Sequence, residues 1–94
     1  MKITVKFFTS LREITGKKEY EIQLANIITV EELLANLSKK YGKKFTEYLY
    51  DEKGKVQKYI QVLINSRCIN ELQGFETKLK EGDIVAILPP VGGG

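Results

Sequence analysis

The sequence has no histidine, no tryptophan and a single cysteine, Cys68, among its 94 residues. Each shortage excludes a class of chemistry. Without histidine there is no imidazole base, so Ser–His and Cys–His nucleophile pairs fall away. One cysteine cannot close a disulfide within the chain, and without histidine it cannot complete a Cys/His zinc site. No apolar run approaches the ~20 residues of a membrane-spanning helix. Lys6 breaks the N-terminal apolar stretch, which excludes a signal-peptide core. No phosphate loop of the GxxxxGK[ST] or GxGxxG kind occurs. Carboxylates, lysines, one thiol and the main chain are what remain for chemistry.

What is present describes a small globular domain. The 43% apolar and 29% charged fractions are ordinary for one. A chain of this length buries about two-thirds of the surface it exposes when unfolded, so it needs one well-filled core. Fifteen basic and twelve acidic side chains give a net charge of +3. That is too balanced for a dedicated nucleic-acid binder. The expected setting is soluble and cytoplasmic, with neither nucleic acid nor membrane as partner.

Hydrophobic periodicity organises the chain. Ile3, Val5 and Phe7 alternate with Thr4 and Lys6, the pattern of a strand with one buried face. Leu11–Ile14 reads as a short helical turn ended by Gly16. Tyr20, Ile22 and Leu24 alternate with glutamates and Gln23 in a second strand, antiparallel to the first. Thr29 and Glu32 have the spacing of a capping box. Val30, Leu33, Leu34, Leu37 and Tyr41 then fall on one helical face. Gly42 is expected in a left-handed cap, with Phe45, Tyr48 and Leu49 in a further partial turn. Asp51–Gly54 is a turn signal. Ile60, Val62 and Ile64 form a strand, and Asn65-Ser66 a tight turn into Arg67-Cys68-Ile69. Leu72, Phe75 and Leu79 are expected to pin the next connection to the core. Lys80–Asp83 turns again at Gly82. Ile84–Leu88 is nearly all apolar, as a central strand covered on both faces would be. The expected class is α+β, a mixed sheet with one main helix packed on one face. Another α+β sandwich with a different strand order is equally compatible with the periodicity.

The end of the chain carries the sharpest signal. Residues 1–88 read as the domain and 89–94 as an extended tail, Pro89-Pro90-Val91-Gly92-Gly93-Gly94. Pro89 holds Leu88 extended, and the proline pair ends strand pairing and favours a stiff polyproline spacer. Three consecutive glycines then offer a thread without side chains. Such a thread suits a narrow site on another protein, with no Cβ to hinder attack at the terminal carbonyl. A carboxylate ionised at neutral pH is a poor electrophile, so it requires activation by another chain. An inert glycine-rich terminus is the plain alternative.

These residues resemble a known family. Val62–Arg67, Leu79–Leu88 and the Pro89–Gly94 tail, with Val5–Phe8 and Leu11–Gly16, are similar to the MoaD-type small subunit of molybdopterin synthase, a ubiquitin-like β-grasp sulfur carrier. The resemblance implies that Gly94 is adenylated by a separate, ATP-using enzyme of the MoeB type and converted to a thiocarboxylate. It implies that Pro89, Pro90, Val91, Gly92 and Gly93 thread into a MoaE-type large subunit. There the sulfur passes to a pterin precursor in molybdenum cofactor synthesis, and the chain itself binds no cofactor and no metal. Gly92 departs from relatives that carry a side chain there, and residues 45–59 match less well. Protein modifiers joined to lysines, and sulfur donors for tRNA thiolation or thiamine synthesis, begin with the same carboxylate chemistry and stay open.

Three apolar residues fall out of phase with their strands: Phe8, Leu63 and Leu88. With the helix on one sheet face, they are expected on the other, as a docking surface for a large partner. Cys68 is expected as a small buried apolar residue. The pairs Lys17-Lys18, Lys39-Lys40 and Lys43-Lys44 are expected as solvated faces. Glu13, Glu31 and Glu32 form no catalytic carboxylate pair.

Overall fold

In the computed structural model, which describes residues 1–89, the alternating segments become five strands of one sheet. In chain order the elements are β1 (Lys2–Phe7), α1 (Ser10–Thr15), β2 (Glu19–Gln23), α2 (Val30–Tyr41), α3 (Lys43–Leu49), β3 (Gln61–Ile64), β4 (Arg67–Cys68) and β5 (Ile84–Leu88). Two short 3-10 turns, Ile69–Glu71 and Gly74–Glu76, lie between β4 and β5. The strand order is β2-β1-β5-β3-β4. β1 pairs antiparallel with β2 and parallel with β5, and β3 pairs antiparallel with both β5 and β4. This is the ubiquitin-like β-grasp arrangement, a mixed sheet holding one main helix.

Local chemistry explains the main elements. Thr29 Oγ1 accepts from the Glu32 N–H at 3.2 Å, and Glu32 Oε1 accepts from the Thr29 N–H at 2.9 Å. This reciprocal pair satisfies two N–H groups that the first turn of α2 leaves unpaired. Val30, Leu33, Leu34 and Leu37 then bury the inner face of α2. Asn65 and Ser66 both take positive φ, 50° and 72°, which matches the right-handed twist of the β3–β4 hairpin. Asp83 is buried at the start of β5. Its carboxylate accepts from Asn65 Nδ2 at 2.9 Å and from the Lys80 N–H at 2.7 Å, tying that turn to β5.

The core lies between the sheet and the helices. Ile3, Val5, Phe7, Val62, Ile64, Val85 and Ile87 face α2 and α3, and all are buried. Phe7 sits edge-on to Tyr41 and Phe45, with ring centroids 5.7 and 6.2 Å away. The Tyr41 hydroxyl is buried without a hydrogen-bond partner. Burial, and then the neighbouring Tyr20, raise that phenol above its ordinary pKa.

Four expectations change. Gly42 has φ 85° but ψ −155°, outside the left-handed cap, because the chain turns directly into α3 instead of leaving the helix. Phe45, Tyr48 and Leu49 belong to a full seven-residue helix and not a partial turn, with Phe45 and Leu49 buried. Leu79 is buried and Leu72 packs on the core, but Phe75 is 38% exposed, since its 3-10 turn lies at the rim. β5 is central but, among the described residues, covered on one face only. Ile84 is 40% exposed while Val85 beside it is fully buried.

Candidate functional site

The tail residues Pro90, Val91, Gly92, Gly93 and Gly94 lie outside the described residues, and Pro89 is the last one within them. The site is therefore built from where the tail is rooted. β1 and β5 run in the same direction, with Phe7 opposite Ile87. Their C-terminal ends stand side by side at one edge of the sheet. The chain leaves β5 after Leu88 beside Phe8 and the corner that opens α1.

Among the described residues the sheet face opposite the helices is open, and its character changes across the strands. Toward β2 it is charged: Lys2 Nζ lies 3.5 Å from Glu21 Oε2, and Lys6 Nζ 4.0 Å from Glu19 Oε1. Such exposed pairs contribute little to stability. Toward β5 and β3 it is apolar. Phe8, Leu63, Ile84, Ala86 and Leu88, with Lys6, Asn65 and Ser66 at its border, line a groove of about 290 Å³. The out-of-phase residues Phe8, Leu63 and Leu88 are thus brought together, half-buried, on the face the helices leave free. Period-2 geometry requires this, because a neighbour of a core residue in a strand points away from the core.

Ile84 and Ala86 complete the groove and were not singled out in the sequence. Their signal was β5's continuous apolar run, which reads equally well as a doubly covered strand. Arg12 was also missed. Its Nε donates to the Phe7 carbonyl at 2.9 Å, and its guanidinium carbon lies 5.4 Å from the centroid of the Phe8 ring. The i, i+4 spacing of Phe8 and Arg12 becomes informative once Phe8 is known to point outward.

The remaining candidates fall where expected or nearly so. Cys68 is a free, half-buried thiol opposite Leu63 in the β3–β4 ladder, so it is less enclosed than a core residue. Lys17 and Lys40 place their ammonium groups 4.9 and 5.0 Å from the centre of the Tyr20 ring. Glu32 serves the helix cap. Among the described residues no three His, Cys, Asp or Glu side chains converge to hold a metal, and no helix is long and apolar enough to cross a membrane.

Comparison with known proteins gives the arrangement its family. Small archaeal modifier protein 3 of Haloferax volcanii is 33% identical over 94 residues, with both chains covered completely. A chain of the BexX/CysO complex of Amycolatopsis orientalis is 32% identical, with a TM-score of 0.77 and 98% of this chain and 99% of that one covered. A Pyrococcus furiosus protein proposed as molybdopterin converting factor subunit 1 is 31% identical, with a TM-score of 0.74 and 96% and 98% covered. The ThiS family matches residues 5–94, the tail included. This match is broader than the MoaD-type resemblance and does not single that type out. The chain belongs to the ThiS family of ubiquitin-like sulfur carriers, small proteins that act with partner enzymes and are not catalysts themselves.

Proposed function

We propose that this chain is a carrier whose C-terminal Gly94 carboxylate is activated with ATP on a separate enzyme and then handed on. In activation, a carboxylate oxygen attacks the α-phosphorus of ATP, the α–β anhydride breaks, and pyrophosphate leaves. A sulfur nucleophile then displaces AMP to give a thiocarboxylate, or a lysine amine receives the acyl group. The observation that carries this reading is the open apolar groove at the root of the strand that leads into Gly92-Gly93-Gly94. An enzyme that grips the end of the tail comes against that groove. The domain supplies the mount, and its partners supply the catalytic side chains.

Two destinations follow the shared activation. End-to-end similarity to small archaeal modifier protein 3 favours use as a protein modifier or a general sulfur donor. The Pyrococcus furiosus structure keeps the molybdopterin synthase reading as the second, with a MoaE-type large subunit as partner and a MoeB-type enzyme as activator.

Intact-mass analysis of the chain and of its conjugates from its own host tests the shared activation and the modifier role. Oxygen replaced by sulfur at Gly94 establishes the carrier chemistry. Lysines of other proteins bearing the chain through Gly94 establish the modifier role. A chain found only with a bare carboxylate, in cells actively using the pathway, overturns the proposal.

A further inference from the structure

We infer that Arg12 is a docking residue that receives a carboxylate from the enzyme that activates the tail. The inference deepens the proposed function and rests on it. Its first ground is position. β1 and β5 end together, and α1 begins at that edge, so Arg12 stands beside the root of the tail. Five residues beyond Pro89 span at most about 17 Å when fully extended. An enzyme that holds the Gly94 carboxylate within that reach covers the surface around Phe8 and Leu88.

The second ground is preorganisation. Arg12 is exposed, yet its guanidinium is fixed at two points, by its bond to the Phe7 carbonyl and by the Phe8 ring. The Nε–H is used by the carbonyl, which leaves the Nη donors for a partner. A guanidinium already ordered loses little rotamer freedom when it binds, and its planar fork suits two parallel bonds to a carboxylate. The corner that holds it is strained. Thr9, a β-branched residue, sits at φ 45° and ψ −116°, a region such residues rarely enter. It is retained while the Leu11 N–H bonds the Phe8 carbonyl at 3.0 Å and the Arg12 N–H bonds the Thr9 carbonyl at 2.9 Å. Strain of this kind collects at functional corners.

The third ground is charge. Among the described residues no carboxylate lies within 4.0 Å of Arg12, whereas Lys2 and Lys6 on the same sheet are each paired with a glutamate of β2. The positive charge beside the groove is thus left for another molecule. An arginine stacked on an aromatic ring at the rim of an apolar groove is a composition typical of interface hot spots. The matching partner surface is an apolar projection flanked by an aspartate or glutamate.

The test is pyrophosphate exchange into ATP, catalysed by the activating enzyme of the same organism, with this chain as the varied substrate. Arg12→Gln removes the charge but keeps a donor for the Phe7 carbonyl. It is expected to raise KM for the chain about tenfold, the scale of a hot-spot charge contact, with kcat unchanged. It should also flatten the fall of kcat/KM with ionic strength. Arg12→Lys restores part of both. Phe8→Leu keeps apolar volume but removes the ring under the guanidinium, and it raises KM in the same direction by a smaller factor. Wild-type KM and wild-type salt dependence in Arg12→Gln overturn the inference. So does a fall in kcat alone, which places the effect after docking. Absence of exchange with the wild-type chain overturns the proposed function as well.

Discussion

The two faces of the sheet are built from the same strands and answer to different demands. Val85 and Ile87 point one way along β5 and are fully buried under the helices, while Ile84, Ala86 and Leu88 point the other way into an open groove. Phe7 is enclosed by two aromatic rings, and Phe8 next to it lies under a guanidinium at the edge of the solvent. Along β5 both faces are apolar, so hydrophobicity alone does not tell them apart there. The difference lies in what covers them. The covered face has its partner within the chain and spends its apolar area on stability. The open face lacks one among the described residues, and its apolar area is available for association.

That contrast can be broken by substitution. The largest effect on stability is expected at Phe7→Ala, which empties a site between Tyr41 and Phe45. A loss of about 3–5 kcal/mol in chemical denaturation is the scale for such a cavity. A loss below 1 kcal/mol would mean that the covered face is not the stabilising one. Phe8→Asp, one residue away, should change stability by no more than about 0.5 kcal/mol. It should weaken binding to the activating enzyme at least about tenfold in a titration. Unchanged affinity would remove the distinction between the faces.

Smaller changes sharpen the contrast from the helix side. Thr29→Ala removes half of the capping box and should cost about 1 kcal/mol of stability without altering partner binding. Tyr41→Phe deletes a buried hydroxyl that has no partner, so stability should hold or rise slightly. The same group gives a pH test. A phenol pKa raised by folding contributes stability that is fully present below about 10, its unfolded value, and lost as pH rises through the folded value. Alkaline unfolding should therefore be shallower in Tyr41→Phe than in the wild type.

Much of this was legible in the sequence, and what was missed shares one cause. The capping box, the period-2 strands, the Asn65-Ser66 turn and the outward phase of Phe8, Leu63 and Leu88 are local signals, and the structure follows them. The helix Lys43–Leu49 is short and has no side-chain cap, and only Phe45, Tyr48 and Leu49, at i, i+3 and i+4, announce it. The openness of β5 depends on whether any later segment covers its second face, which no local pattern records. Arg12 gains meaning only from Phe8 beneath it and from β5 beside it. The order β2-β1-β5-β3-β4 is likewise a property of the whole chain.

That order has a consequence for biosynthesis. The strand made last lies in the middle of the sheet, between the first strand and the β3–β4 hairpin. Before Ile84–Leu88 leaves the ribosome, β1–β2 and β3–β4 are two separate hairpins, each marginal in water. A chain that stops short of β5 cannot join them. Folding is thus expected to wait for the strand that adjoins the tail, and a product truncated before β5 to stay unfolded and open to proteolysis. Any properly folded copy has therefore been translated at least to the end of β5.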